Sequence, residues 1–299
     1  MIRPVKESNS TAAYLTVAIV IIVQLVAEAG RTQELPPPRI DEEIIKQEKI
    51  YRSRGSDVPR GYVTDRGLTD YAELLPTGFC EALGGLASSD RWLDIGAGSG
   101  QAILDYYAST DRQPADKKCA GGGGKARAVA MSIEDRRTDQ WRDLAASLGN
   151  DRLKYVSGKR LREYSPEQLG KFQVITDVFG GFSYTEHLYQ FVDKVLSLLE
   201  VCGHFYTLVP GVHLEDGKEK LGILYLTELE DAAGRPEKVC SWLKKTAYAQ
   251  VTCESKAGWK RPTELIKIRK VCSETSVPRM KLLEFEAGYP PARRFQLEQ

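Results

Sequence analysis

A glycine-rich loop after a short apolar segment is the part of this chain best suited to ligand chemistry. The sequence of this region is Trp92-Leu93-Asp94-Ile95-Gly96-Ala97-Gly98-Ser99-Gly100. Its apolar residues predict a buried parallel strand, and its alternating glycines let the backbone turn tightly and approach a ligand closely. Helix-forming residues follow from Gln101 to Tyr107. The amide groups at the start of that helix would therefore face the same ligand.

This strand, loop and helix resemble motif I of the class I S-adenosylmethionine-dependent methyltransferases, in which an acidic residue and one further residue precede Gly-x-Gly-x-Gly. Asp94 takes the acidic position. The resemblance implies that the loop wraps the methionine and ribose portion of the cofactor, and that the acid positions the loop and the cofactor's amino group. It thus assigns S-adenosyl-L-methionine binding to Asp94, Gly96, Ala97, Gly98 and Gly100.

Two other glycine motifs are excluded by their spacing. A dinucleotide fingerprint requires Gly-x-Gly-x-x-Gly, and Gln101 stands where its third glycine would be. A hydrolase nucleophile elbow requires glycine two residues before and after its serine, but Ala97 and Gln101 hold those positions around Ser99. A chance glycine turn in another α/β protein is the remaining alternative.

Acidic residues follow two further predicted strands. Residues 126–133 predict a strand, and Glu134 and Asp135 come directly after it. A carboxylate there can accept hydrogen bonds from both ribose hydroxyls, and we choose Glu134, with Asp135 as the alternative. The alternative is that the carboxylate stands at the start of a helix, where the helix dipole favours a negative charge. Residues 172–176 predict a strand that brings Asp177 to the carboxyl edge of the sheet, where open α/β sheets bind ligands.

The sequence departs from the family pattern after its third and before its fifth predicted strand. Following the strand at residues 153–156, Lys159 stands where the family commonly has an acid that binds the adenine amino group. Ser157 or a backbone carbonyl would then have to accept that hydrogen bond. Before the strand at residues 204–209, Cys202 replaces the first glycine of the family's Leu-x-x-Gly-Gly turn.

The resemblance implies an α/β fold with a Rossmann-like seven-stranded methyltransferase sheet, mostly parallel with a C-terminal antiparallel hairpin, and helices on both faces. Later patterns predict helices over residues 221–232 and 236–246. They also predict strands over residues 250–254, 264–271 and 281–285.

The first residues have the pattern of an export signal. Arg3 and Lys6 precede an apolar run over residues 14–26, which is too short to span a bilayer comfortably, and Ala27-x-Ala29 forms a small-residue cleavage pattern. We predict a signal peptide and an exported or periplasmic protein. A signal anchor, with membrane contact only if the segment is uncleaved, and a mis-set start codon in a cytoplasmic protein are the alternatives.

We divide the chain into four parts. These are a signal peptide or anchor (1–29), a linker with an N-terminal helical cap (30–89), the S-adenosylmethionine-binding domain (90–275) and a C-terminal extension (276–299). Within the cap, we take Tyr62, Asp65, Arg66 and Tyr71 as candidates for a lid over the cofactor. A cap that only packs on the sheet is the alternative.

Composition and charge set broad limits on function. With 299 residues, 42% of them hydrophobic, the chain can bury a core without disulfide support. A net charge of +1 gives no general attraction to nucleic acid, and we expect no nucleic-acid partner. We interpret the local basic cluster of Lys159, Arg160 and Arg162 as a solvated loop.

The six cysteines are scattered along the sequence. No Cys-x-x-Cys pair occurs and no histidine has a spacing from them that suggests a zinc site, so we expect no metal site. We also predict no obligatory disulfide, because isolated cysteines in α/β domains are usually small buried hydrophobic residues. A pairing among Cys240, Cys253 and Cys272 is the alternative.

Methyl transfer from a sulfonium mainly requires alignment, so few catalytic residues are expected. A hydroxyl acceptor benefits from a general base. His187, just past the fourth strand, is our catalytic candidate, with His213 in reserve and a surface or helix-start histidine as the structural alternative.

The sequence lacks the Asn/Asp-Pro-Pro-Tyr/Phe signature of amine and adenine methylases and the Pro-Cys pair of cytosine methylases. We therefore expect a methyltransferase whose unidentified acceptor is a small molecule or a protein side chain. An exported, non-catalytic module that retains the fold is the alternative, suggested by Lys159, Cys202 and the signal sequence together.

Overall fold

The structure is a computed structural model. It describes residues 65–108, 119, 124–149, 151–216, 219–225, 227–255, 263–287 and 291–299, with backbone alone over 210–225. The predicted signal segment, the linker and Tyr62 lie outside these residues. Within them, no helix has both the length and the apolar character required to cross a membrane.

Helices and strands alternate from residue 79 to the long strand that ends at Asp216, and strands predominate after it. The helices are α1 (Leu68–Leu74), α2 (Phe79–Gly84), α3 (Gln101–Tyr107), α4 (Asp139–Leu148), α5 (Pro166–Leu169), α6 (Gly181–Tyr184), α7 (Leu188–Leu198) and α8 (Val239–Lys244). The strands are β1 (Arg91–Ile95), β2 (Arg127–Met131), β3 (Leu153–Val156), β4 (Phe172–Asp177), β5 (Leu199–Asp216), β6 (Glu219–Tyr225), β7 (Thr227–Glu230), β8 (Pro236–Glu237), β9 (Ala249–Ser255), β10 (Thr263–Lys270), β11 (Met280–Glu286) and β12 (Ala292–Leu297).

The main sheet has the strand order β3-β2-β1-β4-β5-β10-β9, and β6 pairs with the far end of β5. Neighbouring strands from β3 to β5 are parallel. The last strands, β10 and β9, form an antiparallel hairpin, and β10 runs antiparallel to β5. The predicted mostly parallel sheet with a C-terminal antiparallel hairpin is therefore confirmed.

Each face of this sheet is covered by its own apolar layer. Because side chains alternate along a strand, Trp92 packs with one layer while Leu93 and Ile95 pack with the other. Helices α1 to α4 contribute to the first layer, which we call the cap face. Helices α5 to α8 and the second sheet contribute to the opposite layer, the α7 face.

A second sheet, of order β11-β12-β7-β8, covers part of the α7 face. Its strand β7 lies within residues 221–232, so the helix predicted there is wrong. Burial alternates along β7, with Leu229 buried and its neighbours more exposed, and Leu229 pairs with Phe295 of β12. A short apolar run of this kind is compatible with either structure until a partner strand is present. The strand predicted over 281–285 is confirmed as β11, so the C-terminal extension shares a sheet with residues 227–237.

Two disulfide bonds contradict the prediction that no bridge is required. Cys80 of α2 is bonded to Cys119, and Cys240 of α8 is bonded to Cys253 of β9. The second pair is among the alternatives raised from the sequence. Helix α8 precedes β9 and packs on it, which brings the two sulfurs together across 13 residues of sequence. Cys202 and Cys272 are free and exposed.

Candidate functional site

The glycine loop, residues 96–100, connects β1 to α3 at the carboxyl edge of the sheet. Its three glycines have φ angles of 77°, 58° and 85°, all in the left-handed region that favours glycine. The Gly96 and Ala97 amides donate to Met131 O at 2.9 and 3.0 Å, which fixes the loop to the end of β2. The predicted turn between strand and helix is therefore confirmed.

Two glycines of the loop are also required by packing within the protein. A Cβ atom on Gly96 would lie 2.5 Å from Gly180 Cα, and a Cβ atom on Gly100 would lie 2.3 Å from the Trp141 ring. Gly96 is nevertheless exposed on its other side, whereas Ala97 is buried on the cap face. Of these positions, Gly96 is the one that offers bare backbone to a ligand.

Asp94 lies beneath the glycine loop, facing the cap. Its side chain is fully buried, and its carboxylate accepts hydrogen bonds from Tyr71 Oη at 2.9 Å and Thr176 Oγ1 at 2.8 Å. Burial raises the pKa of Asp94 to about 7. Because both oxygens have protein partners, Asp94 holds the loop to the cap and to β4, and a direct contact with the cofactor stays a prediction.

Asp177 is also fully buried but lies on the opposite face of the sheet. Its neighbour in the β1–β4 register is Ile95, whereas Asp94 pairs with Thr176. The Asp177 carboxylate accepts hydrogen bonds from the amides of Gly180 and Phe182 at 2.9 and 3.0 Å. It therefore shapes the loop after β4, residues 178–187, which we call the post-β4 loop. The structure does not bring the Asp94 and Asp177 side chains together at one ligand surface.

Glu134 lies beyond the end of β2, with its side chain 26% exposed and paired with Arg136 at 2.7 Å. Its neighbour Asp135 forms a separate, more exposed pair with Arg137. Strand β2 itself ends at Met131, and the residue directly after it is the buried Ser132 rather than an acid. A carboxylate has about four acceptor sites, so Glu134 can bind ribose hydroxyls while it keeps its arginine partner.

Tyr155 of β3 joins the glycine loop to the segment after β2 that carries Glu134. Its hydroxyl lies 2.6 Å from Gly98 O, to which it donates, and 3.2 Å from Glu134 O. Its ring packs edge-on against Trp141. Tyr155 thus sets the spacing between the glycine loop and Glu134, a role for which the isolated sequence of β3 offers no signal.

The residues predicted to bind the adenine of the cofactor follow β3. Ser157 is half-buried, and its carbonyl oxygen accepts a hydrogen bond from Tyr164 Oη at 3.2 Å. Lys159 Nζ lies 5.8 Å from the centre of the Tyr164 ring. A carbonyl oxygen has a second lone pair, so Ser157 retains acceptor capacity for an adenine amino group.

His187 directly precedes α7 and contacts a buried acid. Its Nε2 lies 3.2 Å from Glu186 Oε1, and Arg162 Nη1 lies 3.1 Å from the same oxygen. Burial opposes ionisation of Glu186, but hydrogen bonds from His187 and Arg162 lower its pKa to about 2. Arg160 is 3.7 Å from this carboxylate, so interpreting the basic cluster as a solvated loop is wrong for its two arginines. The reserve candidate His213 lies on β5, opposite Ile223 of β6.

Residues of the predicted lid contact the glycine loop and its surroundings. Asp65 accepts a hydrogen bond from the Ser99 amide at 2.9 Å, and the Arg66 guanidinium lies 4.6 Å from the centre of the Phe179 ring. Tyr71 binds Asp94, as described above. The cap therefore contacts both the glycine loop and the post-β4 loop. Movement of the cap as a lid stays a prediction.

A buried arginine at this site was not predicted from the sequence. Arg293 of β12 is 4% exposed and donates to Phe182 O at 2.7 Å and to Thr185 O. These two carbonyl partners lie 111 and 108 residues away in sequence. No local pattern could have indicated this contact.

The partly exposed groups of the carboxyl edge fit a nucleoside ligand with an amino-acid tail. Gly96 offers backbone without a side chain, Glu134 offers a carboxylate, and Ser157 offers a carbonyl acceptor. In the described part of the chain, no cluster of three or more His, Cys, Asp or Glu side chains could hold a metal ion.

No protein-family model matches the sequence, and no curated protein sequence is significantly similar to it. Solved structures show a distant likeness. An rRNA methylase from Streptococcus thermophilus has 10% identity and a TM-score of 0.38 over 64% of this chain and 94% of its own. The N-terminal domain of EvdMO1, determined with SAH and D-fucose, has 11% identity and a TM-score of 0.41 over 76% and 97%. A precorrin-6y C5,15-methyltransferase from Geobacter metallireducens has 15% identity and a TM-score of 0.36 over 64% and 85%.

Because these scores are low, the fold is identified from the chain's own topology. The central order β3-β2-β1-β4-β5, the reversed strand β10 and the glycine loop after β1 occur together as the sequence resemblance requires. The chain therefore has the fold of the class I S-adenosylmethionine-dependent methyltransferases.

Proposed function

We propose that this protein is an S-adenosylmethionine-dependent methyltransferase that moves a methyl group to an unidentified acceptor. The observation that carries the proposal is the glycine loop between β1 and α3. It is held in left-handed turns and leaves Gly96 exposed at the carboxyl edge of a methyltransferase sheet. Ligands of open α/β sheets bind at this edge.

Different residues along the edge are proposed to bind different parts of the cofactor. The glycine loop would receive the amino-acid end, Glu134 the two ribose hydroxyls, and Ser157 the adenine amino group. When bound, S-adenosylmethionine supplies a methyl group already activated on its sulfonium, so the protein's main task is to align the acceptor. Asp94 and Asp177 support the site by holding the loops from opposite faces of the sheet.

His187 is the proposed general base for a hydroxyl acceptor. Glu186 is buried and ionised, and it lies within hydrogen-bond distance of His187 Nε2. A proton held on Nε2 by this contact leaves Nδ1 unprotonated, and Nδ1 can then take the acceptor's proton. This arrangement, in which a carboxylate orients an imidazole, supports a base more than a plain surface histidine.

The acceptor is proposed to be a small molecule or a protein side chain. The near-neutral net charge of +1 supports this class over a nucleic acid, which requires many phosphate contacts. The exclusion of nucleic acid stays a prediction.

A second candidate function is an exported module that keeps the fold but does not catalyse. Its support is the pair of disulfides, Cys80–Cys119 and Cys240–Cys253, because disulfides persist in oxidising compartments. The same bonds support the proposed export signal. S-adenosylmethionine is made in the cytosol, so an exported enzyme would need an external supply.

Calorimetric titration with S-adenosylmethionine and S-adenosylhomocysteine separates these candidates. The enzyme hypothesis predicts one site per chain, and Glu134→Gln should weaken binding by about 1–3 kcal/mol through lost charge-assisted hydrogen bonds. Asp135→Asn is the matched control, because Asp135 is adjacent but exposed and paired with a different arginine. Binding weakened only by Asp135→Asn would transfer the ribose contact to Asp135, and absence of binding at millimolar ligand would favour the non-catalytic module.

A further inference from the structure

The C-terminal strand β12 places one charged side chain inside the protein, directly behind the post-β4 loop. Arg293 Nη2 donates to Phe182 O at 2.7 Å, and Nη1 donates to Thr185 O near the end of the same loop. Its Nε and Nη2 atoms lie 3.1 and 3.0 Å from Thr227 Oγ1 of β7. One planar guanidinium therefore joins two backbone carbonyls of the loop to the second sheet.

The beginning of the same loop is held by a second buried charge. Asp177 accepts hydrogen bonds from the amides of Gly180 and Phe182. Asp177 and Arg293 are both buried. Burial raises the pKa of Asp177 to about 7 and lowers the pKa of Arg293 to about 9, and each group partly offsets these shifts by favouring the charged form of the other. The acid binds N–H groups at the start of the loop, and the arginine binds C=O groups toward its end, so the two side chains hold the loop from both ends.

The held loop is in direct contact with the proposed cofactor site. Gly180 packs so closely on β1 that a Cβ atom there would lie 2.4 Å from Ile95 O. A Cβ atom added to Gly96 would in turn lie 2.5 Å from Gly180 Cα, so these two glycines face each other. His187, at the end of the loop, carries the proposed base. A shift of this loop would therefore move both the wall beside Gly96 and the His187 imidazole.

We infer that Arg293 is a positioning residue that fixes the post-β4 loop against the glycine loop, so that the C-terminal extension contributes to ligand binding. The inference rests on the proposed function for its link to the cofactor. Burying a charge is costly unless it is fully hydrogen-bonded, and an apolar residue would fasten the second sheet at lower cost. The specific gain from arginine is its set of donors directed at the loop carbonyls.

The test measures amide hydrogen exchange in residues 178–187 together with affinity for S-adenosylhomocysteine in the full chain. Arg293→Lys keeps the charge but lacks the planar fork that reaches two carbonyls. We expect exchange in this segment to become about tenfold faster, and ligand binding about fivefold weaker. Thr227→Val, which removes the third acceptor and keeps Arg293, should give a smaller change in the same direction and replaces Arg293→Lys if that variant does not fold.

Leu297→Ala is the matched control. Leu297 lies four residues along β12, is buried and packs in the same apolar layer as Phe295, and no hydrogen bond or ring contact joins it to Arg293 or to the loop among the described residues. It should lower overall stability while leaving loop exchange and ligand affinity within about twofold of the wild type.

Three results would overturn the inference. These are unchanged loop exchange in Arg293→Lys, an equal increase in Leu297→Ala, and faster exchange in Arg293→Lys without any loss of affinity. If the wild-type protein does not bind the ligand, the proposed function fails. The exchange measurement then still decides whether Arg293 fixes the loop.

Discussion

Replacing Gly96 with alanine tests the close approach of the glycine loop and the post-β4 loop. Gly96 has a φ angle of 77°, so any L-residue there adopts the left-handed conformation at a cost of about 1–2 kcal/mol. The new Cβ atom would also lie 2.5 Å from Gly180 Cα, which is backbone and cannot rotate away. Overpacking of this kind costs about 1–3 kcal/mol more. We expect a total loss of about 2–5 kcal/mol for Gly96→Ala.

Gly234→Ala is a control that separates the two costs. Gly234 lies in the turn between β7 and β8 with a φ angle of 78°, and the nearest atom to a Cβ there would be Glu230 Oε2 at 3.9 Å. This variant should lose only the conformational part, about 1–2 kcal/mol. It lies outside the carboxyl-edge loops and should leave ligand binding unchanged.

Urea unfolding followed by tryptophan fluorescence measures both losses, and calorimetry with S-adenosylhomocysteine measures the binding of each variant. Gly96→Ala should be clearly less stable than Gly234→Ala and should bind the ligand at least about tenfold more weakly. Equal losses of stability in the two variants would refute the packing of Gly180 against Gly96, and with it the described wall of the site.

Three further predictions concern buried charges and the disulfides. Burial raises the pKa of Asp94 to about 7, so the folded state binds this proton more tightly than the unfolded state and stability should fall as the pH rises from about 4 to 7. In urea unfolding at a series of pH values, Asp94→Asn should remove about 3 kcal/mol of that fall. For Glu186, burial is outweighed by hydrogen bonds from its basic neighbours and the pKa is about 2, so its contribution to stability is present above about pH 4 and is lost toward pH 2. Glu186→Gln should lower the free energy of unfolding by about 2–3 kcal/mol at pH 7 and by much less at pH 2. An equal loss at both pH values would contradict the assignment. Reducing the Cys240–Cys253 bond, which closes a loop over a sequence separation of 13, should lower stability by about 3 kcal/mol, and Cys240→Ser should show the same loss without reductant.

The central α/β unit could be predicted because its signals are local. The helix at Gln101–Tyr107 and the strand at Leu153–Val156 have the bounds expected from the sequence. In each case a turn with glycine or charged residues adjoins a short apolar run, which constrains the chain at that position. The glycine loop is predictable for the same reason, since only glycine adopts its backbone angles without strain.

The remaining features depend on contacts between distant parts of the chain. Residues 227–230 form a strand because β12 supplies a partner for Leu229, and nothing in the local pattern distinguishes that strand from a helix. The Cys80–Cys119 bond joins residues 39 positions apart, and Arg293 binds carbonyls more than 100 residues away. The burial of Asp94 by Tyr71 likewise requires the cap to be in place.

Determining a structure of the full chain with S-adenosylhomocysteine tests the central claim most directly. The account predicts the ligand along the carboxyl edge, with its amino-acid end over Gly96, its ribose hydroxyls bound by Glu134 and its adenine beside Ser157. A ligand bound elsewhere, or an empty edge in crystals grown with millimolar ligand, would contradict it.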